Sequence, residues 1–423
     1  MNIKAMPSAL SCSACVILLI GLSIEPAMSA SMDIKAVFRP DPSRPMDNQF
    51  INETPVTGHC QLQPVFCKER DLFSLLIPID FVSTAPIEAR HPDPRRGAMF
   101  RVPGQWQVLR VRNVDTQEYS ELEVRIASIG GRYLLPDTAE NLVGEGEPTS
   151  VQRWHTRLWG DWTWRPPAPC QGTGGMYTLP ASRTFFWITP TANQCAANAN
   201  YRISNLSYDR MQIGYELRTP DPLGMSSGLY TGQWTYTVGP GMDFDMGDIM
   251  QPSSSMLTLN FTLDVQHTLK IDVPPGGNRV ELVPQGGWQS WLTQGRKPTR
   301  LFRDQTFHIS ASSRFKMQLE CQYMQDANNC SLREPVSGHA VPLSVSVSLP
   351  HGLSDATGKP VTRQPLRRDG SGSELFQPGI YVDRKPGTLH FEVAPQDVQE
   401  MLEPGTARSY SGNVTVIWDS EVG

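Results

Sequence analysis

Leu257-Thr258-Leu259-Asn260-Phe261-Thr262-Leu263-Asp264-Val265 alternates without a break, apolar then polar. Period two is the strand period, and it gives a segment one dry face and one wet face, as in an antiparallel sheet. The pattern continues past Gln266 as His267, Leu269, Ile271 and Val273. It returns in Val341, Leu343, Val345, Val347 and Leu349. Shorter instances are Leu122-Val124-Ile126, Phe315-Met317-Leu319-Cys321 and Leu389-Phe391-Val393. Helical signals are few. Ala394–Leu402 reads as a turn or two of helix, with Pro395 near its start and Pro404 past its end. The 34 glycines and 36 prolines suit short strands joined by many turns. The expected fold class is all-β, with two β-sandwich domains.

Residues 1–30 read as an export signal. Lys4 supplies the positive start, Ala14–Leu22 a short apolar run, and Ala27-Met28-Ser29-Ala30 small residues for cleavage. The run falls short of the roughly 20 residues that span a bilayer. The remaining chain, about 390 residues, exceeds one ordinary domain. Pro274-Pro275-Gly276-Gly277 breaks the chain just after the long alternating segment. The expected division is therefore 31–265, a β-rich N-terminal domain, and 266–423, a C-terminal domain. A formal charge of −5 argues against a nucleic-acid partner.

Outside the signal stand Cys60, Cys67, Cys170, Cys195, Cys321 and Cys330. An even set after an export signal suggests disulfides, and six cysteines allow fifteen pairings. Pairing between sequence neighbours is the simplest of them. No CxxC pair occurs, and no histidine stands at ligand spacing from two cysteines, so neither a metal nor another cofactor is expected. There is no HExxH, no P-loop and no GxSxG. Asp243 and Asp245 lie in a glycine-rich turn that explains them better than a calcium cage. The chain is not expected to be an enzyme.

The end of the chain, Tyr410-Ser411-Gly412-Asn413-Val414-Thr415-Val416-Ile417-Trp418-Asp419, resembles the last strand of a chaperone–usher fimbrial subunit. Leu229–Gly239 is similar to such subunits as well, as are the signal, the paired cysteines and the half-size terminal domain. The resemblance implies a C-terminal immunoglobulin-like pilin domain, incomplete because its last strand is missing. A periplasmic chaperone would fill the gap, and a neighbouring fimbrial subunit would fill it in turn after passage through the outer-membrane usher, by strand addition. Tyr410, Gly412, Val414, Val416 and Trp418 would border that groove. The chain departs from the family in ending Glu421-Val422-Gly423, with no aromatic residue next to last. On alternation alone, the same stretch is an ordinary edge strand.

With a large domain ahead of the terminal one, the resemblance implies a tip or minor subunit at the cell surface that binds a host glycan or protein receptor. Its densest candidate site is Trp154, Arg157, Trp159 and Asp161, since sugars stack on indole faces and bond to carboxylate and guanidinium groups. Trp is equally suited to a core. Two alternatives remain: a structural fimbrial subunit without a receptor, and a secreted carbohydrate-active enzyme. The enzyme would need two carboxylates facing each other at roughly 5 to 9.5 Å.

Overall fold

The computed structural model describes residues 29–160, 166–174, 177–403 and 409–420. The alternating stretch is the strand Met256–Val265, and its five apolar side chains are 2% exposed or less. Both neighbours match its phase. Gly228–Thr237 runs antiparallel to it, with Tyr236 opposite Leu257 and Tyr230 opposite Leu263. Ser29–Phe38 runs parallel to it, with Ile34 opposite Phe261 and Phe38 opposite Val265. A slip of one residue would turn all three apolar rows outward, so burial fixes the register. Each fully buried Leu, Val or Phe contributes about 1.5–3 kcal/mol. On the wet face, the Thr235 and Thr258 hydroxyls meet at 2.9 Å across the strands.

These strands belong to a 13-stranded sheet. Its path runs Met250–Pro252, Phe81–Ser83, Ser207–Arg218, Tyr119–Leu134, Gln107–Asn113, Gly228–Thr237, Met256–Val265, Ser29–Phe38 and Ile51–Asn52. The sequence suggests a sandwich of separate sheets. Hydrogen bonding instead runs through one curled, open sheet over one core, from Phe81 and Tyr208 to Phe38 and Phe261, with a two-stranded sheet of Ala98–Phe100 and Cys195–Ala197 adding to that core. The 16-residue strand Tyr119–Leu134 makes this possible, because it pairs with Gln107–Asn113, Ser182–Ile188 and Ser207–Arg218 along its length.

At Gln266 the chain leaves this sheet. Leu269–Asp272 pairs with Leu301–Ala311, and the sheet continues through Val382–Val393, Ala340–Ser348 and Cys330–Arg333. A second sheet holds Leu353–Asp355, Phe376–Pro378, Phe315–Cys321 and Val414–Ser420. Phe307, Ile309 and Val345 of the first sheet share a core with Phe315, Met317 and Phe376 of the second, so the two sheets pack face to face. The helix Pro395–Met401 adds Val398 to that core.

Cys60–Cys67, Cys170–Cys195 and Cys321–Cys330 are bonded, with Cα separations of 5.6, 5.8 and 5.6 Å. Each closes a loop within one of the two bodies and restricts the unfolded chain, worth about 2–4 kcal/mol apiece. No helix among the described residues is long and apolar enough to cross a membrane.

Candidate functional site: the open edge of the last strand

Val414–Ser420 pairs antiparallel with Phe315–Cys321, from Val414 opposite Cys321 to Ser420 opposite Phe315. Among the described residues it has no strand partner on its other side. The consequence is visible in its side chains. On the neighbouring strand, Phe315, Met317 and Leu319 are 0%, 0% and 4% exposed. Val414, Val416 and Trp418 pack on the same core yet stay half-buried. Both rows point inward; only the interior strand has a neighbour to cover each flank. Trp418 rests against Phe307 and Phe315, with ring centroids 4.9 and 5.8 Å away.

Phe307 stands beside a second opening. Its strand pairs with Leu269–Asp272 at residues 308–311 and with Val283–Pro284 at residues 301–302. Between them, residues 303–307 have no strand partner on that side among the described residues. Leu269 and Ile271, on the short strand flanking this gap, are half-buried as well. Unpaired backbone and half-covered apolar side chains therefore occur in both sheets, joined through the Trp418–Phe307 contact. Such an edge is a template for another strand.

The expected groove face is shorter than the sequence suggests. Strand geometry begins at Val414, because the residues before it are held otherwise. Ser411 exchanges backbone hydrogen bonds with Arg333 at 3.0 and 3.1 Å, and the Tyr410 hydroxyl lies 2.8 Å from His339 Nδ1. Gly412 passes so close to the Ser331 carbonyl that a Cβ would sit 3.1 Å from it.

Trp154, Arg157 and Trp159 lie on a helix, Val151–Trp159, capped by Ser150, whose hydroxyl accepts from the Arg153 amide, and stopped at Gly160 with φ 71°. The helix sorts the candidate receptor residues. Trp159 is buried, its ring edge-on to Tyr133 at 5.9 Å, so it offers no face to a ligand. Trp154 is half-buried against the core, and Arg157 is exposed over Gly146. Trp154 and Arg157, three apart, lie on one side of the helix. Asp161 lies outside the described residues. Beneath them, the His155 ring is buried between the Tyr133 hydroxyl at 2.7 Å and the Leu179 carbonyl at 2.8 Å, and burial lowers its basicity.

Other polar clusters are internally satisfied. Asp245 is fully buried between Arg95 at 2.9 Å and Arg101 at 3.4 Å, so guanidinium groups already occupy its oxygens. Asp243 accepts from the Thr237 amide and hydroxyl. His390 links Ser348 Oγ, 2.9 Å from Nε2, to Asp304, 2.7 Å from Nδ1, and so ties three adjacent strands together. Ser348 Oγ also accepts the Arg363 amide at 3.0 Å. A hollow of about 400 Å³ beside Arg39, Arg44 and Phe50 is lined by charges already paired, Arg44 with Asp41 and Asp47 of the lining, and Arg39 with Glu53 outside it. No group of three or more His, Cys, Asp or Glu side chains placed to hold a metal ion occurs among the described residues. Phe307, His267 and His390 carry no local motif, because the partners of each are distant in the chain.

No family model and no curated protein matches the chain. Among solved structures it is similar to CfaE, the adhesive subunit of the CFA/I fimbria of enterotoxigenic Escherichia coli. The identity is 11%, over 94% of each chain, at a TM-score of 0.25. It is also similar to the CFA/I chaperone–tip adhesin complex, at 10% identity over 93% of this chain and 97% of that one, TM-score 0.24. A third is the CsuC–CsuE chaperone–tip adhesion subunit pre-assembly complex of Acinetobacter baumannii. There the identity is 10%, over 92% of this chain and 98% of that one, at a TM-score of 0.21. These superpositions are loose, and the functional reading rests on the open edge instead.

Proposed function

We propose that the chain is a subunit of a bacterial surface fimbria, completed by a strand donated from another polypeptide. The observation that carries this is the single-sided pairing of Val414–Ser420, with Val414, Val416 and Trp418 left half-covered. A donor strand beside it would satisfy the free backbone groups and finish burying these side chains, which is how strand addition gains affinity and specificity. In this reading, residues 266–423 form the incomplete pilin-like domain. A periplasmic chaperone fills it first, a neighbouring subunit follows at the usher, and the chain ends on the cell surface. Residues 31–265 are the adhesive domain of a tip or minor subunit, and Trp154 with Arg157 is the part of the candidate receptor site left accessible.

Co-expression with its chaperone tests the assembly reading. A stable one-to-one complex, with amides of Val414–Ser420 protected from exchange, is expected. A monomer equally soluble and equally protected without any partner overturns it. Glycan-array binding by the chaperone-bound chain, weakened by Arg157→Ala, tests the adhesive reading separately.

A further inference from the structure

One imidazole bridges the two bodies directly. His267 Nε2 lies 2.9 Å from the Met225 carbonyl of the first body, and Nδ1 lies 3.2 Å from Ser312 Oγ of the second. Phe38 packs edge-on to the ring at 5.5 Å. A carbonyl only accepts, so Nε2 carries the hydrogen. Ser312 Oγ accepts the Thr268 amide at 2.9 Å and keeps one proton to donate and one lone pair, so it serves Nδ1 of a neutral ring as donor and of a charged ring as acceptor. Each nitrogen is engaged by a different body.

We propose that His267 is an acid-sensitive latch: its neutral ring holds the two bodies together, and a proton added at Nδ1 loosens the joint. That proton turns the Ser312 hydroxyl from donor to acceptor at Nδ1 and places a cation in a crowded site. Arg314 is 3.3 Å from Ser226 Oγ and 3.8 Å from Glu118, so a positive charge already spans the same joint. Glu118 is committed to Ser226 and to the Tyr230 hydroxyl, at 3.3 and 2.9 Å. Nearer the preceding residue, Arg39 pairs with Glu53 and bonds Gln266, and Asp264 bonds Gln266. No carboxylate among these contacts the imidazole. Burial is the largest influence on His267 and lowers its basicity; Arg314 lowers it further, against the Met225 and Pro222 carbonyls.

The sign follows from linkage. A histidine less basic in the closed joint than in the open one favours closure fully above the open-state value of 6.5, and loses that contribution as pH falls below it. The Tyr381 amide to Pro45 carbonyl bond, 3.2 Å, also joins the bodies and does not titrate. Opening is therefore a hinge motion that leaves both cores folded. This latch stands whether or not the chain is a fimbrial subunit.

Small-angle scattering of the whole chain at about pH 7.5 and about pH 5 tests it. The radius of gyration is expected to grow in acid with near-ultraviolet dichroism unchanged, and His267→Gln, which keeps a neutral donor toward Met225, is expected to abolish the growth. Exchange at the Thr268 amide gives a readout without a variant: protection is expected to fall in acid while the amides of Met256–Val265 keep theirs. An unchanged radius in the native chain, an equal response in His267→Gln, or undiminished protection at Thr268 overturns the latch.

Discussion

Trp418 stands half-buried on a strand that has no outer partner among the described residues. Its indole packs on Phe307 and Phe315. Trp418→Ala should cost about 2 kcal/mol in the isolated chain, below the range for a fully buried aromatic. The cost should be greater once a donor strand is bound, because only then is the whole side chain dry. Urea titration with and without donor measures both; equal losses would place the indole outside the groove. The buried histidines of the first body make a different residue-level prediction. His59 stacks on Phe186 at 4.2 Å, and burial lowers its basicity as it does that of His155. Both bind a proton less readily folded than unfolded. Their contribution is complete above about pH 6.5 and is lost as pH falls through that value toward the lower folded one. The urea midpoint of the first body should drop between about pH 7 and about pH 5, and His59→Phe should reduce the drop.

At the scale of strands, Gly387 sets the floor on which Trp418 stands. It lies directly opposite Phe307 in the ladder, and a Cβ there would come within 2.3 Å of the Phe307 ring. Gly387→Ala should push that ring toward Trp418 and cost about 1–3 kcal/mol by overpacking. It should also weaken donor-strand binding, which calorimetry can measure; unchanged affinity would show that Phe307 does not shape the groove. The strand that carries this edge was legible in the sequence, since Val414, Val416 and Trp418 recur at period two among β-formers, with Thr415 and Asp419 on the other face although Ile417 interrupts the alternation. Its missing neighbour was not legible: alternation reports which face is dry and says nothing about who lies alongside. The helix Val151–Trp159 was hidden for another reason. Its four-residue pattern, His155 with Trp159 and Trp154 with Leu158, is masked by aromatic residues on both sides, although Ser150 is an ordinary N-cap signal. The curling of the first sheet depends on how Tyr119–Leu134 shares its length among three partners, which no local pattern encodes.

For the whole molecule, two separate cores give two stability problems. The first core is much the larger of the two, whereas the smaller second core has, among the described residues, an open edge in each of its sheets. Heating should therefore melt the second body first. A peptide with alternating apolar residues, added at a hundredfold excess over its dissociation constant, should stabilise that body by about 2.7 kcal/mol through mass action alone. Fusing the same strand after Gly423 should give a larger shift that no longer depends on concentration, since tethering makes the encounter intramolecular. A peptide of the same composition with its alternation scrambled should do neither, because it cannot place apolar side chains at successive inward positions. Calorimetry of the chain alone, with each peptide and with the fusion resolves these outcomes. If the lower transition ignores the alternating strand, the half-covered row at Val414, Val416 and Trp418 is simply a tolerated edge. If it rises while the upper transition stays still, the second body is the part that another polypeptide completes.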